Sequence, residues 1–163
     1  MFYCPVVVMN NINQVKFASG IGKYYTNNPA TKNPKGLLTI GFFGIKNLVD
    51  KPQNIDKSEA QWLIPSSYPS RSHKEQEEKG EYWLLWADFD DKDTPPLGDI
   101  ENIVIEHIHD NYLACDYELY SSKSAKPDHH KARLLIPLET PLNGSDWIIC
   151  QQLLRAKLES KGI

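Results

Sequence analysis

The stretch "YWLLWADFD", Tyr82 to Asp90, constrains this chain more than any other. Its first part is a continuous apolar and aromatic run of strand length, which argues for a central, buried strand. The run then stops in carboxylates, Asp88 and Asp90, with Asp91 and Asp93 in the loop that follows. Side chains alternate along a strand, so Asp88 and Asp90 are predicted to share a face with Tyr82, Leu84 and Trp86, while Ala87 and Phe89 point the other way. Two carboxylates side by side repel unless something positive lies between them, and oxygen-seeking cations such as Mg²⁺ or Mn²⁺ are the ordinary answer. The competing reading is a solvated strand exit built from Asp-rich turn chemistry.

The rest of the second half gives that strand a context. "PPLGDIENIVIEHIHDN" places Ile100, Ile103, Val104, His107 and Ile108 at helical spacing, which predicts a helix from Gly98 to Asp110. "YLACDYELYSS" and "KARLLIPL" are β-prone runs separated by the polar stretch Lys123 to His130, so a long-looped hairpin is expected. "GSDWIICQQLLRAKLESKGI" reads as an amphipathic helix capped by Ser145, with Trp147, Ile148, Cys150, Gln151 and Leu154 around one side. The resulting β-α-β-β-α order predicts an α+β fold, five-sixths of a ferredoxin-like split unit whose last strand would lie beyond Ile163.

Residues 1–80 read as an irregular leader packing on that core. A helix is expected from Ile12 to Tyr25, weakened by Gly20 and Gly22, and a strand from Gly36 to Ile45. Asp56 is expected to cap a short helix over "KSEAQWLI" that ends at Pro65, and a charged surface helix precedes Gly80. No run approaches the ~18 apolar residues of a membrane span, and the opening lacks the basic start of a secretory signal. Three widely spaced cysteines, Cys4, Cys115 and Cys150, fit neither a disulfide framework nor a zinc cluster, so a cytoplasmic home is expected. The net charge of −3 hides an asymmetry: residues 1–80 carry ten Lys+Arg against six Asp+Glu, and residues 81–163 carry eight against fifteen. Bulk charge therefore argues against non-specific nucleic-acid binding but leaves room for a local basic groove.

The hairpin supplies such a groove. "YSSKSAKPDHHKARLLIPL" offers Ser121, Ser122 and Ser124, then Lys123, Lys126, Lys131 and Arg133, with His129 and His130 at its far edge. Lys131 and Arg133 share a face at i, i+2, where arginine grips a phosphate through two parallel bonds and lysine acts as a point charge. Taken alone, such cations are more often solubility residues. In a ferredoxin-like sheet, however, the first and third strands are neighbours, which sets Arg133 beside Asp88 and Asp90. An acidic metal site facing a basic phosphate site is a layout for handling a nucleoside triphosphate.

The strand ending in Asp-x-Asp, then "YSSKSA…KARLLIPLETPLNGSDW" and the helix ending in "KLESKGI", together resemble the archaeo-eukaryotic primase-polymerase superfamily, in its phage and plasmid replication-protein form, from Glu81 to Ile163. The resemblance implies template-directed nucleotidyl transfer on an RRM-like core, acting on nucleoside triphosphates and a single-stranded DNA template. Asp88 and Asp90 would be the first-motif metal ligands for Mg²⁺ or Mn²⁺. Ser122, Ser124, Lys131 and Arg133 would form the second motif, which binds the incoming phosphates. That motif often carries a His directly after its Ser; here Ala125 stands there, so His129 or His130 would substitute. The third acidic motif would fall after Ile163, so the chain is expected to be the N-terminal piece of a longer replication protein, with a helicase domain beyond it.

Two rivals remain. "EHIHD", with His107 and His109, imitates the metal motif of rolling-circle initiators, with Tyr120 and Lys123 nearby in "YSSK". A non-catalytic single-strand-binding module would instead use Trp83, Trp86, Tyr112 and Tyr117 as stacking platforms.

Overall fold

The computed structural model describes residues 12–22, 37–51, 55–56, 58–106 and 116–163. After a single 3₁₀ turn at Ile12–Gln14 come β1 (Lys16–Ile21), β2 (Leu38–Gly41), α1 (Phe42–Asp50), β3 (Gln61–Leu63) and α2 (His73–Lys79). Then follow β4 (Tyr82–Phe89), α3 (Leu97–Val104), β5 (Glu118–Ser121), β6 (Ala132–Leu142) and α4 (Gly144–Glu159). The protein is α+β, with two three-stranded antiparallel sheets ordered β2-β1-β3 and β4-β6-β5.

The second sheet is the frame. Its middle strand is β6, eleven residues long, whereas β4, expected to be central, lies at the edge among the described residues. Alternation divides its side chains between two cores. Leu85 and Phe89 of β4 pack with Ala132, Leu134, Ile136 and Leu138 of β6 against Ile100 and Val104 of α3 and Leu154 and Leu158 of α4. Leu84 and Leu135 face the other way, into a cluster with Ile12, Val15, Phe17, Phe42 and Ile45 from the first eighty residues, which Trp86 and Tyr120 join from its margin. Tyr82 leaves the face predicted for it. A register shift separates it from Leu84, and its ring stacks on Trp147 of α4 at 4.2 Å.

Several local expectations in the first eighty residues are corrected, each by a partner distant in sequence. The helix expected from Ile12 is one turn followed by β1, because Phe17, Ala18 and Ser19 are fully buried between β2 and β3. Gly20 suits that strand: a Cβ there would lie 2.3 Å from the Trp62 indole, whose Nε1 donates to the Gly22 carbonyl. The strand expected over Gly36–Ile45 divides into β2 and α1, since Phe42 and Ile45, three apart, bury together while Phe43 is 72% exposed. Short apolar runs do not distinguish strand from buried helix by periodicity. Asp56 caps a turn rather than a helix, its carboxylate accepting from the Ser58 N–H and hydroxyl, and the chain leaves as β3.

Other elements stand close to expectation. Ser72 caps α2 by accepting from the Glu75 N–H, and Gly80 ends it. Asn143, not Ser145, caps α4, its Oδ1 accepting from Asp146 N–H at 2.9 Å. Helix α3 closes at Val104, Ile105 and Glu106 continue it as a π-helical turn, and residues 107–110 of the expected span, with His107 and His109, lie outside the described residues.

Helix α2 packs on α4 through glycine. A Cβ on Gly144 would stand 2.2 Å from the Glu77 carbonyl oxygen, a backbone atom that cannot swing aside. Gly144→Ala is therefore expected to lower unfolding free energy by about 1–3 kcal/mol, the usual cost of overpacking. Gly98 in α3 meets nothing within 4 Å. Gly98→Ala is expected to leave stability unchanged or raise it by about 0.5–1 kcal/mol through helix propensity. Urea denaturation of both variants checks the contrast.

Candidate functional site

Beyond Trp86, β4 runs out from under the N-terminal cluster, and its next residue on that face is Asp88, which is exposed. Strand register decides what Asp88 meets. It lies opposite Arg133 of β6, which lies opposite Tyr120 of β5, so one row crosses all three strands. The Arg133 fork grips the carboxylate with both arms: Nε donates to Asp88 Oδ1 at 2.7 Å and Nη2 to Oδ2 at 2.9 Å. The guanidinium also lies 5.6 Å from the centre of the Trp86 ring. Burial works against its charge, but the hydrogen bonds to Asp88 and Tyr120 and the negative charge of Asp88 outweigh burial and raise its pKa above the ordinary arginine value.

The second carboxylate is treated likewise. Asp90, just past the end of β4, pairs with the Lys131 ammonium. His129 Nε2 lies 3.3 Å from the Asp90 carbonyl oxygen and 3.7 Å from its Oδ1. Of the two histidines proposed to fill the place of Ala125, His129 is the one turned toward the acidic strand end. The repulsion predicted between Asp88 and Asp90 is thus relieved from within, by Arg133 of β6 and by Lys131 just before that strand begins.

The hairpin loop is ordered by its own backbone. Ser122 N–H donates to the Lys131 carbonyl at 2.9 Å, and Lys126 and His129 exchange backbone hydrogen bonds across Pro127 and Asp128. Ser122 and Ser124 bring their hydroxyls within 3.1 Å of each other, Ser124 exposed and Ser122 half-buried. Lys123 reaches back to the Ile55 carbonyl, which ties the loop to the N-terminal residues. Asp88, Asp90, His129, Lys131 and Arg133 are therefore gathered at one end of the sheet, with the serine turn in the same loop. His130 follows in that loop, half-buried. Trp83 and Trp86 are half-buried against the N-terminal cluster and Tyr117 against the helical one; Tyr112 lies outside the described residues.

Tyr120 and Gln151 are the contributions that residue patterns did not assign to this site. Tyr120 enters through register alone. Gln151, read only as part of the inward side of α4, acts as a strand substitute. Its Oε1 accepts from Trp86 N–H and its Nε2 donates to Trp86 C=O, both at 3.0 Å, while Trp147 Nε1 donates to the Leu84 carbonyl at 2.8 Å. Two side chains of α4 thus satisfy the outer edge of β4. The same edge borders a cleft of about 910 Å³ whose lining includes Asp88, Gln151, Ile148, Arg155 and Ile163.

On the β5 side the same face is closed by Lys46 of α1, paired with Glu118. The bond to Glu118 raises the Lys46 pKa, against the opposing effect of burial. Among the described residues no group of three or more His, Cys, Asp or Glu forms a metal cluster, and no helix is long and apolar enough to cross a membrane. Compared with protein-family models, curated proteins and solved structures, the chain matches none.

Two outcomes are expected here. Gln151→Leu removes the side-chain partner of the Trp86 N–H and C=O and should lower stability by about 1–3 kcal/mol, whereas exposed Gln152→Leu should change it by less than about 0.5 kcal/mol, both read by urea denaturation. The Lys46 pair has a pH signature. Its folded pKa lies above the 10.5 of a free lysine, so its contribution is complete below that value and fades as pH rises through the folded pKa. The stability difference between wild type and Lys46→Met should be level from neutrality toward pH 10.5 and shrink above it.

Proposed function

We propose that this protein is a DNA replication protein whose second half handles nucleoside triphosphates for primase-polymerase-type nucleotidyl transfer on a single-stranded DNA template. The observation that carries the reading is the row in which Arg133 grips Asp88 in a fork while Lys131 holds Asp90 one step further along the same strand pair. The β-α-β-β-α order, with β6 between β4 and β5, supports an RRM-like core and agrees with the resemblance of "LYSS" and "ARLLIPL" to the superfamily's second motif.

The donor set fits a hard divalent cation. Asp88 and Asp90 present oxygens only, with side chains 56% and 64% exposed, so Mg²⁺ or Mn²⁺ can bind them while keeping water and phosphate oxygens in its remaining positions. A bound ion would neutralise phosphate charge as it develops. The chain's own residues do the rest. Arg133 is shaped for two phosphate oxygens, Lys131 adds a point charge, and the Ser122 and Ser124 hydroxyls donate from the turn. His129 is placed to donate to a phosphate oxygen near Asp90. Trp86 and Tyr120 hold the guanidinium in place, and the cleft at Asp88 gives a strand or a nucleotide room to enter.

Isothermal titration of a nucleoside triphosphate in Mn²⁺ into wild type and Asp88→Asn/Asp90→Asn tests this. Wild type is expected to bind and the double variant to lose metal-dependent binding by at least about tenfold, the loss of one charge-assisted contact or more. Equal binding by both, or single-strand affinity that ignores the substitutions, would sink the catalytic reading in favour of a binding module.

A further inference from the structure

The four charges at the strand end form two closed pairs, and their burial is unequal. The side chains of Asp88 and Asp90 are 56% and 64% exposed, whereas Arg133 is 39% and Lys131 19% exposed. The carboxylates therefore lie toward solvent and the cations beneath them. Arg133 is fixed from three sides by Asp88, the Trp86 ring and Tyr120. Asp90 comes after the last β4 residue, where the ladder to β6 has ended with Phe89 opposite Ala132. The outward partners are the more exposed ones, so a ligand from solution reaches them first.

We propose that these pairs are a resting lock, and that divalent metal and triphosphate open it together by exchanging partners. The proposal rests on the reading of this face as a metal-nucleotide site. A cation arriving alone must take Asp88 and Asp90 from Arg133 and Lys131, which strands two positive charges, Lys131 mostly buried and Arg133 half-buried. A triphosphate arriving alone must take the two cations from the carboxylates, which strands two negative charges close together. Leaving the two cations unmatched costs free energy because both are partly desolvated, and leaving the two exposed carboxylates side by side costs it through their mutual repulsion. When both ligands arrive, carboxylates pass to the metal and cations to the phosphates, and every charge is matched before and after. Each ligand thus raises the affinity of the other by the same factor, as linkage requires. The site stays shut to phosphate-bearing compounds that come without metal.

The conservative variant Arg133→Lys separates exchange from simple charge repulsion, since it keeps the positive charge and loses the fork. Binding of Mn²⁺ alone is followed through the electron paramagnetic resonance of the free ion, and binding of a nucleoside triphosphate by titration calorimetry with and without Mn²⁺. Partner exchange predicts that Mn²⁺ alone binds Arg133→Lys at least about fivefold tighter than wild type, the low end of ordinary coupling factors. It also predicts that Asp88→Asn binds triphosphate in EDTA tighter than wild type by a similar factor, and that the gain from adding the second ligand shrinks in both variants. Circular dichroism melting confirms that each is folded. Should Arg133→Lys fail to fold, Lys131→Met gives a metal readout through Asp90, with Lys126→Met, which removes the same charge from an exposed position of the same loop, as the control for charge repulsion. Unchanged Mn²⁺ affinity in the folded variants, with both ligands still binding wild type, overturns the lock and leaves the site standing. Failure of wild type to bind triphosphate under any combination overturns both.

Discussion

Everything at the acidic strand end depends on the register in which β4 pairs with β6. Asp88 stands opposite Arg133, Trp86 opposite Leu135 and Leu85 opposite Ile136, so one alignment sets the fork, the aromatic floor beneath it and the packing of both cores. A slip of one residue would turn Leu85 and Phe89 out of the helical core and Asp88 into it, burying an unmatched carboxylate. The hydrophobic pattern and the ion pair therefore demand the same register, and neither could change without the other.

The N-terminal residues and α4 limit where the site can lie. The first eighty residues cover Leu84 and Leu135 and reach as far as Trp86 and Tyr120, leaving Asp88 outside the cover. Trp147 and Gln151 satisfy the outer edge of β4 only as far as Trp86. Both coverings stop at the same level, so the charged end is the part of the strand pair left open to solvent. The environment there is neither dry nor fully aqueous, which is the regime in which paired charges are worth keeping and lone ones are costly.

Much of this was legible before any coordinates. The run from Tyr82 to Phe89 had strand length and composition, Ile100 and Val104 recurred at helical spacing, and the two β-prone runs flanked a polar loop; each became the expected element because local pattern and tertiary demand agree there. The N-terminal half was read poorly for the opposite reason. "VKFASG" and "LLTIGFFGI" carry no decisive period, and what made one a strand and divided the other was burial of Phe17, Phe42 and Ile45 against residues far along the chain. The face of Tyr82 was misjudged because alternation assumes an unbroken ladder, and a register shift breaks it before Leu84.

By itself the sequence determined the charges and the alternation that put Asp88 and Arg133 on inward or outward faces of their strands, since a period of two is a property of the extended chain. It also determined that a serine and lysine turn would lead into the strand that carries Arg133. Only the tertiary structure decided that the carboxylates are held by Arg133 and Lys131, that Tyr120 completes the row and that a helix glutamine stands in for a neighbouring strand. Those facts come from pairings across 45 residues between Asp88 and Arg133 and 65 between Trp86 and Gln151. No local preference encodes such pairings, because their free energy exists only once the sheet and its helix have closed.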